Sequence, residues 1–189
     1  MISFPFRRSK QDATIDALYG MIVAQARSPS FYRDYAVPDT VTGRLDMIVL
    51  HLVLVLRRMK ERGGTVQPAG QQLFDRFCRD IDDNFREMGV GDLAVPKKMR
   101  RVAEDFYGRA QAYESALGNN DAAVLEAAVA RNIFGAPEPT PGARRLAAYI
   151  RKTAAAFDRR QGETLTPVDL EFLDPKAVPP SESEGEKRS

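Results

Sequence analysis

The sequence predicts an all-α fold: a single-domain bundle of about six helices with a disordered acidic C-terminal tail. Three observations carry this expectation. The run Met47–Leu56 is apolar at nine of its ten positions, broken only by His51, the one histidine of the chain. A bilayer span needs about 20 apolar residues, so this run is too short to cross one, and a helix apolar on nearly every side must be buried in protein. Five further segments place apolar residues at helical spacing, and no strand-like alternation persists for more than a few residues.

The first helix is expected over residues 11–26, with Ile15, Leu18, Tyr19, Ile22, Val23 and Ala26 on one face, stopped by Ser28-Pro29. The link Phe31–Pro38 is rich in aromatics and should pack on the bundle. The second helix, the apolar rod, starts at Thr40, capped by Asp39 or Thr40, and is expected to stop at Gly63-Gly64. Pro68 opens the third, where Leu73, Phe74, Phe77, Cys78, Ile81, Phe85 and Met88 oppose a charged face. The fourth, from Pro96, carries Met99, Val102, Ala103, Phe106, Ala110, Tyr113 and Leu117 inward; Asn120 or Asp121 caps the fifth, which ends at Gly135. Pro137, Pro139 and Pro141 form a stiff connector. The sixth helix, 143–160, turns Leu146, Tyr149, Ile150, Thr153 and Phe157 inward and Arg144, Arg145, Arg151, Lys152, Arg159 and Arg160 outward. After Gly162 periodicity ends. Leu165, Val168, Leu170, Phe172 and Leu173 should lie on the bundle as an extended strap, and the chain from Pro179 is too polar to bury anything.

A length of 189 residues suits one domain, read as a helical body over 1–162 and a strap and tail over 163–189. A single cysteine, Cys78, excludes an internal disulfide and a cysteine-built zinc site. The N-terminus lacks a secretory signal, so a cytoplasmic protein is expected, one that touches a membrane only from its surface. The net charge of +2 divides unevenly: residues 163–189 hold seven acids and three bases, a balance of −4, which leaves +6 on the body. A basic body suits an anionic partner or simple solvation.

No phosphate-cradling glycine loop, nucleophile elbow or metalloprotease histidine pair is present. Asp75, Asp80, Asp82 and Asp83 share the third helix with Arg76, Arg79 and Arg86. Carboxylates so placed can hold magnesium and a diphosphate or form a solvated, self-paired face. His51 can be a base or a ligand, but in an apolar rod it reads first as a neutral core residue. Cys78, on an apolar face, reads as an inert thiol. Asn132 falls on the buried side of the fifth helix and must find partners.

From Gly43 to Gly135 the chain resembles the ubiquinol–cytochrome c chaperone family, in its bacterial form. The likeness rests on an ordered series: Gly43-Arg44-Leu45, Leu50-His51-Leu52 and Leu56-Arg57; Leu73-Phe74, Phe77 and Asp80; Met88-Gly89-Val90; Val95-Pro96-Lys97; Phe106-Tyr107-Gly108-Arg109 with Tyr113; then Asp121 and Arg131-Asn132-Ile133-Phe134. The resemblance implies a non-enzymatic assembly factor for respiratory complex III that binds newly made cytochrome b, in some members beside a small partner subunit or a ribosome. It implies no cofactor, no metal and no DNA. Arg57, Asp80, Tyr107, Arg131 and Asn132 are expected as the polar rim of its working surface. An apolar client needs a groove with apolar anchors, for which Phe31, Tyr32 and Tyr35 are the aromatic candidates. Arg7, Arg8, Lys10 and the sixth helix could rest near anionic headgroups or ribosomal RNA. Two rivals stay open: a magnesium–diphosphate enzyme of the isoprenoid-synthase kind using Asp80 and Asp83, and a peripheral membrane adaptor.

Overall fold

The computed structural model describes residues 10–60, 67–119, 121–159 and 165–180. The predicted Gly63-Gly64 stop, Asn120, Arg160, Gly162, Arg7, Arg8 and the acidic tail from 181 onward lie outside them. Among the described residues the six expected helices are present and no strand occurs: α1 (Lys10–Ala26), α3 (Val41–Arg58), α4 (Pro68–Glu87), α5 (Val95–Gly118), α6 (Ala122–Val129) and α7 (Pro141–Asp158). The aromatic link holds one more short helix, α2 (Pro29–Arg33), and α6 runs on into a π-helical turn, Ala130–Phe134.

Each boundary follows local chemistry. Thr40 Oγ1 accepts from Gly43 N at 3.0 Å and caps α3, while Asp39 pairs instead with Arg44 at 2.7 Å. Asp121 caps α6 through Ala123 N and Val124 N, and Thr140 caps α7 through Ala143 N. Gly89 and Gly135 take the left-handed conformation that ends a helix without side-chain strain. α3 ends at Arg58, where the Met59 carbonyl accepts from Gln67 N at 3.2 Å instead of continuing the helical ladder.

The rod α3 is the axis of the bundle, packed by α1, α5, α7 and the π turn. Every residue from Met47 to Val55 is buried. Residues 165–180 lie on the bundle with two 3-10 turns, Pro167–Asp169 and Pro175–Ala177, in place of a fully extended strap: Leu165, Leu170 and Val178 are buried, and Phe172 packs on His51 and Phe157. Val168 departs from the expected strap set and is almost fully exposed.

His51 sits in this core with no exposure. Its Nδ1 lies 2.7 Å from the Met47 carbonyl and its Nε2 3.1 Å from the Tyr149 hydroxyl. A carbonyl only accepts, so Nδ1 carries the proton and Tyr149 donates to Nε2. Gln25 Nε2 in turn donates to Tyr149 Oη and to the Leu173 carbonyl. The imidazole is thus neutral with both nitrogens satisfied, and burial pulls its pKa down to about 4.

Two expectations are corrected here. Phe31 and Tyr35 form no surface groove: both are fully buried. Their rings meet each other and Tyr149 edge to face, and Tyr32, half-buried, lies under Arg44. Arg145 does not face outward. It is buried, donates to the carbonyls of Val178 and Asp34, and stacks over Tyr35 with its guanidinium carbon 4.3 Å from the ring centre. A guanidinium can be buried when carbonyls take its donors and an aromatic face covers its plane.

Candidate functional site

The apolar groove that the link does not supply lies between α3, α4 and α5. α4 and α5 carry wide apolar stripes, and only part of each stripe closes on the core: Leu73, Phe77, Phe106 and Tyr113 are buried, while Phe74 is half-buried and Tyr107 is 60% exposed. The remainder walls a groove of about 500 Å³. Its floor is Val53, Leu56, Phe74, Phe106, Tyr107 and Ala110, and its rim includes Lys60, Gln71, Gln111, Glu114 and Ser115. The rings are in mutual contact: Phe74 to Phe106 at 4.8 Å, Phe74 to Tyr107 at 5.7 Å, and Phe106 to Tyr107 edge-on at 5.5 Å. On the rim, Lys60 Nζ donates to Glu114 at 2.6 Å, a pair three-quarters to two-thirds buried that ties the end of α3 to α5.

The charged groups described on its lining, Lys60 and Glu114, are spent on each other. Apolar anchors inside a polar rim are the chemistry of holding an amphipathic or apolar helix, and the volume accepts several side chains from one face of such a helix.

Of the five residues expected on the working surface, Tyr107 alone lines the groove. Arg57 forms a two-pronged pair with Asp158 at 3.1 and 2.8 Å, joining the C-terminal ends of α3 and α7. Asp80 faces α1, accepting from the Tyr19 hydroxyl at 2.9 Å, with Arg76 at 3.5 Å; this contact, after burial, holds the Tyr19 phenol above its usual pKa. Arg131 and Asn132 lie in the π turn. Arg131 is exposed with no ion pair among the described residues, and Asn132 is half-buried near the buried Tyr113.

Beside Tyr113 sits a feature the sequence did not announce. Asp46, on the rod and only 6% exposed, meets Arg109 of α5 at 2.7 Å. Burial raises the Asp46 pKa and the guanidinium opposes the rise. The Asp46–Arg109 pair therefore links α3 to α5, with Tyr113 and, from the π turn, Asn132 near it. The polar position in an apolar run, Asp46 just before Met47, was the available signal.

Three of the four aspartates of α4 have protein partners, Asp82 with Arg86, Asp75 with Gln71 and Asp80 as above, and Asp83 borders a polar cleft between α1 and α4. Among the described residues no group of three His, Cys, Asp or Glu side chains is placed to hold a metal ion. Nor is any helix there long and apolar enough to cross a membrane.

Known proteins share this architecture. The crystal structure of the Cbp3 homolog from Brucella abortus superposes with a TM-score of 0.80 at 39% identity, covering 92% of this chain and 96% of that one. Ubiquinol-cytochrome-c reductase complex assembly factor 1 of Xenopus laevis is 26% identical over 164 residues, which is 85% of this chain and 82% of that protein. The Mus musculus protein of that name is 27% identical over the same share of this chain, which spans about half of its length, 55%. The sequence model described as Ubiquinol-cytochrome C chaperone matches residues 33–172, a stretch that contains the rod, the whole groove and the π turn. This chain belongs to the ubiquinol–cytochrome c chaperone family.

Proposed function

We propose that the protein is a non-enzymatic chaperone in the assembly of ubiquinol–cytochrome c reductase, and that it holds an apolar segment of immature cytochrome b in the α3–α4–α5 groove. The carrying observation is an open, ring-lined groove inside the family-matched region, walled by Phe74, Phe106 and Tyr107. A membrane protein's apolar segments have no soluble shelter before insertion, and a groove with aromatic anchors offers one. In this reading Tyr107 touches the client, Arg131 extends the surface, and Arg57, Asp80 and Asn132 fix the helices that shape it. The protein acts at the cytoplasmic face of the membrane, where insertion begins.

The test is genetic and spectroscopic. Deleting the gene should lower b-type haem absorbance and ubiquinol–cytochrome c reductase activity while other cytochromes persist. The natural gene should restore both. Tyr107→Glu should fold normally, since the side chain is mostly exposed, yet restore them poorly. A carboxylate in an apolar contact weakens client binding on the order of tenfold. A normal b-type spectrum in the deletion strain refutes the reading.

A further inference from the structure

We propose that the outward face of α7, with the shallow trough beside it, docks on a bilayer of acidic phospholipid. The exposed residues of α7 are Arg144, Arg151, Lys152 and Ala155, and exposed Arg159 follows at its end, so every exposed charge along this face is positive. From Arg144 to Arg159 the stripe runs about 22 Å at the helical rise per residue. Arg151, Lys152 and Arg159 make no ion pair among the described residues, whereas Arg144 has Glu126 at 3.8 Å and Arg57 is taken up by Asp158.

Between these bases lies an apolar floor. Leu117, Ala148, Ala154 and Ala155 line a trough of about 450 Å³ with Arg57, Arg151, Lys152 and Asp158 around it. Small apolar residues beneath a basic rim suit a surface where phosphates lie above hydrocarbon. Single-stranded nucleic acid, the other polyanion, is held by exposed rings on which bases stack. This face offers none: the aromatic residues of α7, Tyr149 and Phe157, are turned into the core.

The trough also adjoins the client groove. Leu117 of α5 lines the trough while Glu114 and Ser115, on the preceding turn, line the groove, and Arg57 and Leu56 divide in the same way on α3. A protein docked through α7 would hold its groove beside the bilayer. That consequence rests on the chaperone reading; the lipid binding does not.

The experiment is flotation of the purified full chain with vesicles of phosphatidylcholine alone or with phosphatidylglycerol added, at low and at raised salt. The chain should float with the acidic vesicles only, and less so as salt rises. Each basic residue near an acidic surface contributes about fivefold, so Arg151→Gln with Lys152→Gln should lower partitioning roughly thirtyfold. Lys97→Gln with Arg101→Gln, removing equal charge from exposed positions on α5, should lower it far less. Circular dichroism verifies that both variants fold. Equal loss in the two variants, or no preference for acidic vesicles, overturns the proposal. So does binding of the natural chain to a short RNA, lost in the α7 variant, without vesicle binding. The vesicles contain no cytochrome b, so failure here leaves the haem-spectrum test standing.

Discussion

Replacing Gly142 by alanine should destabilise the protein by about 3 kcal/mol or more, a larger loss than most single methyl additions produce. A Cβ there would lie 2.1 Å from the Tyr35 carbonyl oxygen and 3.2 Å from the Phe134 ring. The obstacle is backbone, and that backbone is held. Tyr35 is fully buried and donates through its hydroxyl to the Pro175 carbonyl at 2.6 Å, and the neighbouring Asp34 carbonyl is taken by Arg145. Gly43 makes the matching contact at the start of α3, where a Cβ would meet the Pro38 oxygen at 2.1 Å. The two glycines let the first turns of α3 and α7 close on the link that carries Phe31 and Tyr35, so either substitution separates helices rather than shifting one side chain. For a domain of this size the melting temperature should fall by about 10 °C. Gly108→Ala is the control: nothing lies within 4 Å of its Cβ position, and alanine inside an exposed helix should add up to about 1 kcal/mol. Equal melting of Gly142→Ala and the natural protein would show that the link is not clamped as described.

Acid should weaken the fold through His51. Its folded pKa is about 4, below the ordinary 6.5, because burial penalises the charged ring. Between those values the unfolded chain binds a proton that the folded chain does not, so stability rises with pH across the window. The contribution is complete above the unfolded value and is lost as pH falls toward the folded one. Between pH 7 and pH 5 the natural protein should lose about 2 kcal/mol from this residue. His51→Phe should be less stable at pH 7, because the Tyr149 hydroxyl loses its acceptor in the core. Its stability should nevertheless change less over the same pH interval. Urea titrations of the two proteins at both pH values give the comparison. Parallel pH dependence would mean the imidazole is not the group that titrates.

Much of this architecture was legible in the residues. Helical periodicity located the six main helices, and the apolar rod identified the axis, because a segment apolar all round has only one stable place. The neutral state of His51 followed from the same argument. Periodicity fails where one face serves two purposes. Phe74 and Phe106 sit on stripes that read simply as core, and the spacing does not tell a stripe that closes on its neighbours from one that leaves an open groove. Charge alone points Arg145 outward. Its burial depends on carbonyls at positions 34 and 178, far apart in sequence, that only the folded chain brings together. The aromatic link failed as a groove for a related reason: the glycines at 43 and 142 draw its backbone in, and its rings follow. The π turn at Ala130–Phe134 changes helical phase for a single turn, too briefly for a periodic pattern to register it.

The central claim is that the ring-lined groove receives an apolar segment of cytochrome b. Its most direct test places a photo-crosslinking amino acid at position 107 in cells making cytochrome b, with a second strain carrying it at exposed Arg79 on the α1–α4 side. Illumination should join cytochrome b to the chaperone from position 107 and not from position 79. Cytochrome b captured from position 79 and not from position 107 would place the client on another face and contradict the account.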